Sequence, residues 1–202
     1  MPTPPRIPPT RPLPGRRRLL IALTLLVAAC GGDDPFRPRA SLPNAERSYA
    51  LFSLTGAPGL PAAIDFLSDR VVIPEVVGQS ANFDLAFDID RQGRVTVLPA
   101  RLVASPPNAP AQLQLQVVSG TFEALTRAPT SGYVTDSTRT LAVGQVLAIQ
   151  LPTPQAVCVF QEPYYGKLVV DSIIPATRRL VIRTIINRNC GYRSLSVGLP
   201  TD

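Results

Sequence analysis

Strict alternation of polar and aliphatic residues over residues 111–117 is the feature that most constrains the fold. The segment reads AQLQLQV, with a glutamine at every second position between aliphatic residues. Because successive side chains of a β-strand point to opposite faces, this pattern predicts a strand with one wet face and one buried face. A helix would instead repeat its apolar positions every three or four residues.

The same alternation recurs along much of the chain. In residues 82–90 the apolar side chains Phe83, Leu85, Phe87 and Ile89 share one face, and Asp84, Ala86, Asp88 and Asp90 share the other. The following Asp90-Arg91-Gln92-Gly93 predicts a hairpin turn, with 94–98 as the partner strand. Further strands are predicted at 49–54, 70–73, 145–151, 165–173 and 179–186, with a second hairpin at 174–178.

Helix is scarce in this pattern. Residues 122–127 favour one or two helical turns before Pro129, and residues 60–67 and 138–143 are ambiguous. Many short strands separated by about ten residues, with glycine and proline between them, indicate an all-β fold. We expect an antiparallel β-sandwich or partly open barrel, with at most one short helix, forming a single domain over residues 49–202.

An apolar run near the N terminus predicts export. Leu19 to Ala29 is a run of 11 residues, whereas a membrane-spanning helix needs about 20. Arg16, Arg17 and Arg18 precede the run and small residues follow it, as in a secretory signal peptide. Residues 1–29 are therefore expected to be a cleaved signal peptide. A buried helix and a twin-arginine export signal are the alternatives.

The end of this run, Val27-Ala28-Ala29-Cys30, resembles the bacterial lipobox. The resemblance implies a bacterial envelope lipoprotein, in which Cys30 carries a diacylglyceryl group and signal peptidase II cuts between Ala29 and Cys30. The amino group of Cys30 is then acylated, so the membrane partner is reached through acyl chains. Gly31 in place of aspartate implies an outer-membrane destination, as in enterobacterial sorting.

Removal of the leader changes the charge balance. Five of the 20 basic residues and none of the 14 acidic residues precede Cys30, which leaves 15 basic and 14 acidic groups in the mature chain. Without a basic run after Cys30, nucleic acid is not an expected partner. Residues 30–48 contain Pro35, Pro38 and Pro43 and predict a lipidated cysteine followed by a flexible tether.

The two other cysteines, Cys158 and Cys190, form an even pair in an exported chain and predict a disulfide. It would link the end of one strand to the turn after the last long strand. A redox couple and a metal thiolate pair are the alternatives, but neither has a CxxC spacing or a histidine to support it.

Catalytic motifs are missing from the sequence. The chain contains no histidine, which excludes Ser-His-Asp triads, Cys-His dyads and histidine-bearing zinc sites. The single lysine, Lys167, is expected to point outward from its strand. Glu162 and Asp171 are candidates for a carboxylate pair, provided that the fold brings them together.

Two groups of residues are candidate binding sites. Asp84, Asp88 and Asp90 could contribute to a calcium site, although the loop that follows lacks the pattern of an EF-hand and a solvated strand face is the simpler interpretation. The adjacent Tyr164 and Tyr165 could stack on a sugar ring or on a partner. Alternatively, they open a strand with one ring in the core and one at its rim.

The segments NFDLAFDID and NCGYRSL are similar to segments of uncharacterised bacterial envelope lipoproteins, and this similarity implies no activity. We expect a lipid-anchored, periplasm-facing domain with a structural, assembly or ligand-binding role, an unidentified protein or glycan partner, no cofactor and no catalysis. The alternatives are a carboxylate-based hydrolase acting on envelope or extracellular polysaccharide, and a calcium-stabilised adhesive module.

Overall fold

Two antiparallel sheets packed face to face form the domain. A computed structural model describes residues 39–74, 83–103, 112–153, 157–158 and 160–201. The described strands are β1 (Glu46–Phe52), β2 (Ala63–Asp65), β3 (Arg70–Val72), β4 (Leu85–Ile89), β5 (Val95–Pro99), β6 (Gln114–Val118), β7 (Val134–Thr135), β8 (Arg139–Leu141), β9 (Val146–Leu151), β10 (Tyr164–Ile174) and β11 (Arg179–Asn187).

The strands are shared between a six-stranded and a five-stranded sheet. The larger has the order β1-β11-β10-β9-β6-β7, and the smaller has the order β3-β2-β4-β5-β8. Helix in the described residues is limited to two three-residue 3₁₀ segments, Ala100–Leu102 and Pro175–Thr177. None of the described helices is long or apolar enough to cross a membrane. The prediction of an all-β antiparallel sandwich is confirmed.

The alternating residues build the core between the sheets. Phe87 of β4, Ile149 of β9 and Leu168 of β10 have no exposed surface and belong to one apolar cluster. Both predicted hairpins form. Gly93 closes the first with a φ of 72°, a left-handed conformation that glycine adopts without strain. The segment predicted to be helical at 122–127 is instead a turn followed by extended chain.

The outer face of the six-stranded sheet carries a third layer, which we call the cover loop (residues 121–128). Phe122 of this loop packs on Val146, Val169 and Ile185 in a second apolar cluster. Backbone hydrogen bonds join the loop to the C-terminal segment, from Ala128 N–H to the Arg193 carbonyl at 2.8 Å and from Leu195 N–H to the Thr126 carbonyl at 2.7 Å. The face expected to be wet is therefore largely covered.

The sandwich begins earlier in the chain than the predicted boundary at residue 49. Asn44 exchanges two backbone hydrogen bonds with Gly198, at 2.8 and 3.0 Å. The side-chain oxygen of Asn189 accepts hydrogen bonds from the backbone N–H groups of Ser41 and Leu42, at 2.8 and 3.0 Å. The tether predicted at 30–48 is thus too long at its C-terminal end, because contacts distant in sequence fix residues 40–48. Residues 1–38, which include Ala29 and Cys30, lie outside the described residues.

The predicted disulfide is present. Cys158 and Cys190 are bonded, with their Cα atoms 5.6 Å apart. Cys190 lies just after β11, close to the asparagine that holds residues 41 and 42. We call the end of the sandwich at which β1 begins and β11 ends the entry end. The disulfide therefore lies at the same end as the segment through which the chain enters the domain.

Candidate functional site

A cleft that could hold a small molecule lies at the entry end. It has a volume of about 170 Å³ and lies where the paired strands β1 and β11 meet the turn between β2 and β3. Its apolar walls include Leu42, Phe66 and Ile186. We call it the entry cleft. A cavity of about 150 Å³ accommodates a benzene ring, so the entry cleft has the size for a single-ring ligand.

The polar wall of the entry cleft is built around Asp69. The hydroxyl of Tyr49 donates a hydrogen bond to the Asp69 carboxylate, and the Arg47 guanidinium is 3.2 Å from the other carboxylate oxygen. Burial, with the neighbouring carboxylate as a second cause, raises the pKa of Tyr49 well above its ordinary value. Tyr49 therefore stays protonated at neutral pH and serves as a hydrogen-bond donor.

Two further features hold this wall in place. Asp69 has a φ of 54°, a left-handed conformation that aspartate adopts more readily than most residues. Arg188 donates a hydrogen bond to the carbonyl of Phe66 at 2.7 Å, which fixes the turn from the other side. The cleft thus contains cations, a carboxylate and a phenol, but no serine or cysteine nucleophile among its lining residues.

The structure separates the two tyrosines that were candidates for ligand stacking. Tyr164 is 6 % exposed and belongs to the core between the sheets, whereas Tyr165 is half-buried on the other face of β10. Strand alternation imposes this separation, because adjacent side chains point to opposite faces. The interpretation with one ring in the core is confirmed. A joint stacking platform formed by both rings is excluded.

The three aspartates that were calcium candidates each have a different environment. Asp90 accepts hydrogen bonds within its own hairpin, from Gln92 N–H and Arg94 N–H at 2.9 Å, and these contacts lower its pKa. Among the described residues, no group of three or more acidic or cysteine side chains is arranged to hold a metal ion. The carboxylates act as turn and strand partners.

Asp88 belongs to a network that joins the two sheets. Its carboxylate accepts hydrogen bonds from the hydroxyls of Ser53 and Thr55 and lies 3.3 Å from the Arg178 guanidinium. Burial by itself would raise the pKa of Asp88, but the hydrogen bonds from the two hydroxyls, together with those from the backbone of Ile89 and Thr55, outweigh it and lower the pKa. This network links the C-terminal end of β4 to the β10–β11 hairpin.

Asp84 is buried, contrary to the solvated face expected for it. It is 8 % exposed, and its carboxylate accepts a hydrogen bond from Phe66 N–H at 2.7 Å. Burial raises its pKa to about 6 despite this bond. A pKa near neutrality is typical of a general acid, but the adjoining cavity of about 10 Å³ is the size of one water and admits no substrate.

Lys167 is also buried, so the expectation that it points into solvent is wrong. The side chain does project from the outer face of β10, but the cover loop lies over it. Its ammonium group donates to the carbonyls of Phe122 and Leu125, at 2.6 and 3.0 Å, and lies 4.3 Å from the Phe122 ring centre. Burial lowers the pKa of Lys167. Because Lys167 binds both carbonyls, it anchors the cover loop to the sheet.

Glu162 and Asp171 do not form a hydrolytic pair. Tyr164 to Asp171 alone covers about 23 Å of extended strand at about 3.3 Å per residue, and Glu162 precedes that segment. Glycosidase carboxylates lie only about 5 to 9.5 Å apart. Asp171 is instead paired with Arg183 at 2.9 Å. Arg183 also approaches Glu46 and Glu123, both at 3.3 Å, and so ties the cover loop to the sheet.

No protein-family model, curated protein or solved structure matches this chain. The entry cleft was not predicted from the sequence, because Arg47, Asp69 and Arg188 come from three separate segments and form no local motif. The only sequence signal near it is the proline-containing segment before β1, which was interpreted as tether.

Proposed function

We propose that this chain is an exported lipoprotein, held on a bilayer by acyl chains on Cys30, whose sandwich has a non-catalytic structural, assembly or ligand-binding role. The sandwich would face the periplasm at the outer membrane. The observation that carries the proposal is the Cys158–Cys190 disulfide. Disulfides persist in oxidising compartments, and this pair accounts for two of the three cysteines. Cys30 is then left for acylation.

The position of the domain boundary supports an anchor of this kind. Ordered contacts begin at Ala40, whose N–H donates to the Tyr192 hydroxyl at 3.2 Å. The roughly ten residues from Cys30 to Ala40 can reach at most about 33–36 Å at full extension. Such a tether keeps the folded domain beside the bilayer surface while leaving it in water.

A non-catalytic role is supported by the chemistry of the candidate residues. The buried carboxyl of Asp84 faces a cavity of about 10 Å³, and Lys167 is occupied by the carbonyls of the cover loop. The entry cleft, with its apolar floor and its Arg47–Asp69 pair, provides the ligand-binding part of the proposal.

Acyl labelling in bacterial cells tests the anchor. The native chain should incorporate labelled palmitate and lose residues 1–29, whereas Cys30→Ala should stay unlabelled and keep its leader. The matched control is the double variant Cys158→Ser with Cys190→Ser, which removes two cysteines and should still be labelled. Label on Cys30→Ala, or an unlabelled native chain, would refute the proposal. Separation of inner and outer membranes then tests the destination.

A further inference from the structure

Exposed apolar side chains gather at the entry end of the sandwich. They are Val197 at 68 %, Phe160 at 67 %, Leu199 at 56 %, Val157 at 54 % and Leu42 at 49 %, which are five of the ten exposed large apolar side chains among the described residues. Clusters of this kind on a soluble domain mark surfaces that bind a protein or a membrane. We call these five residues the apolar rim.

Three contacts bring the apolar rim together. The antiparallel bridge between Asn44 and Gly198 places the chain around Leu42 beside Val197 and Leu199. Asn189 holds Leu42 from both sides, since it accepts from the Leu42 N–H and donates to the Leu42 carbonyl at 2.8 Å. The neighbouring disulfide and the contact of 3.8 Å between the Cys190 sulfur and the Val157 carbonyl place Val157 beside the same turn, and Phe160 follows two residues after Cys158. The rim is therefore part of the folded framework.

The opposite end of the sandwich differs. Among the described residues, its strongly exposed large apolar side chains are Val143, before β9, and Ile174, at the end of β10. Scattered exposed residues of this kind are ordinary on soluble proteins. Half of the exposed large apolar side chains of the described residues thus belong to the apolar rim, at the end from which the chain leads back to Cys30.

We infer that the apolar rim rests on the bilayer to which Cys30 is anchored, with its side chains at the boundary between lipid headgroups and acyl chains. The inference rests on the proposed function, because the short segment between an acylated Cys30 and the domain is the reason to choose the bilayer as the partner of the apolar rim. Even fully extended, the roughly ten residues before Ala40 reach only about 33–36 Å. The entry end is therefore the part of the domain held nearest to the lipid. Apolar side chains there gain by entering the interface, as the apolar face of an interfacial helix does.

A fluorescence experiment tests this orientation separately from acylation. The chain contains no tryptophan, so a single introduced tryptophan is the only one that reports. With Cys158 and Cys190 bonded, Cys30 is the one free thiol of the mature chain 30–202. It can be coupled to maleimide-bearing lipid in vesicles of phosphatidylethanolamine and phosphatidylglycerol. The chain is then anchored whether or not cells acylate it.

Phe160→Trp and Val197→Trp place the reporter on the apolar rim, and Val143→Trp is the matched control at the opposite end. On vesicles, the emission of both rim variants should shift to shorter wavelength and be quenched by lipids brominated on their acyl chains. The control should show neither effect. A second measurement uses the uncoupled Cys30→Ser chain and its partition coefficient into vesicles. Adding Phe160→Ser should lower this coefficient roughly tenfold, because a phenylalanine that is mostly buried in the interface contributes a free energy of about that size.

The results separate the inference from the proposed function. No shift in either rim variant, or an equal shift in Val143→Trp, overturns the inference even if cells acylate Cys30. A shift that appears without vesicles and grows with protein concentration overturns it as well, since the rim would then bind a second copy. A rim-specific shift in a chain that cells do not acylate would support a lipid-binding surface and refute the anchor.

Discussion

Asp84→Asn should stabilise the domain at neutral pH. The native carboxyl is 8 % exposed, and burial raises its pKa from 3.8 to about 6. At neutral pH the folded chain therefore holds a charge that the interior disfavours. Asparagine has nearly the same shape and keeps an oxygen that can accept the hydrogen bond from Phe66 N–H, 2.7 Å away in the native chain. The substitution removes the charge and retains this contact.

The size of the effect follows from the pKa. A carboxyl whose pKa rises from 3.8 to about 6 on folding opposes folding by about 3 kcal/mol once it is fully ionised, at about 1.4 kcal/mol per unit of pKa. A raised acid pKa favours the folded state below the unfolded value, and this advantage is lost as the pH rises through 6. The gain from Asp84→Asn should therefore grow between about pH 4 and pH 6 and stay constant above about pH 7.

Urea unfolding at several pH values measures this gain. We expect Asp84→Asn to raise the free energy of unfolding by about 3 kcal/mol near pH 7.5 and by about 1 kcal/mol near pH 4.5. Asp84→Ala is the control, because it removes the charge together with the acceptor. It leaves Phe66 N–H without its partner, at a cost of about 1–3 kcal/mol. A gain that does not change with pH, or no gain near pH 7.5, would refute the argument.

Two further substitutions test the framework around the site. The double variant Cys158→Ser with Cys190→Ser should lower the free energy of unfolding by about 3.7 kcal/mol, the chain-entropy value for its 33-residue loop, and equal urea midpoints would contradict this. Lys167→Met should cost about 1–3 kcal/mol, because the buried carbonyl of Phe122 and the partly buried carbonyl of Leu125 lose their donor, and should speed hydrogen exchange in the cover loop. Arg91→Met, in an exposed hairpin turn, is the control and should leave both measurements unchanged.

Side-chain alternation was sufficient to predict most of the sandwich. The strand predicted at 145–151 is observed at Val146–Leu151, and the one predicted at 179–186 at Arg179–Asn187. The short strand β7 was not predicted, and β2 and β8 lie in the segments 60–67 and 138–143, whose pattern is ambiguous. They contain two or three residues each, too few to show a period, and their partners in the sheet define them.

The sequence was misleading where another part of the chain covers the polar face of a strand. Lys167 has the correct parity for the outer face of β10, yet the cover loop buries it. Asp84 lies between two apolar residues at the start of β4, where the backbone of Phe66 closes over it. Period alone gives the side of the sheet on which a residue lies. It does not show whether another part of the chain covers that side.

The entry end combines features that the sequence presents as separate. The proline-containing segment predicted a linker, the two cysteines predicted a disulfide, and the residues after Cys190 gave no functional signal. In the fold, Asn189 binds the backbone of Ser41 and Leu42 and lies directly before Cys190. One turn therefore connects the start of the domain, the disulfide and the apolar rim. Under the proposed anchor, a pull on Cys30 would be transmitted through the segment that Asn189 holds, next to the disulfide.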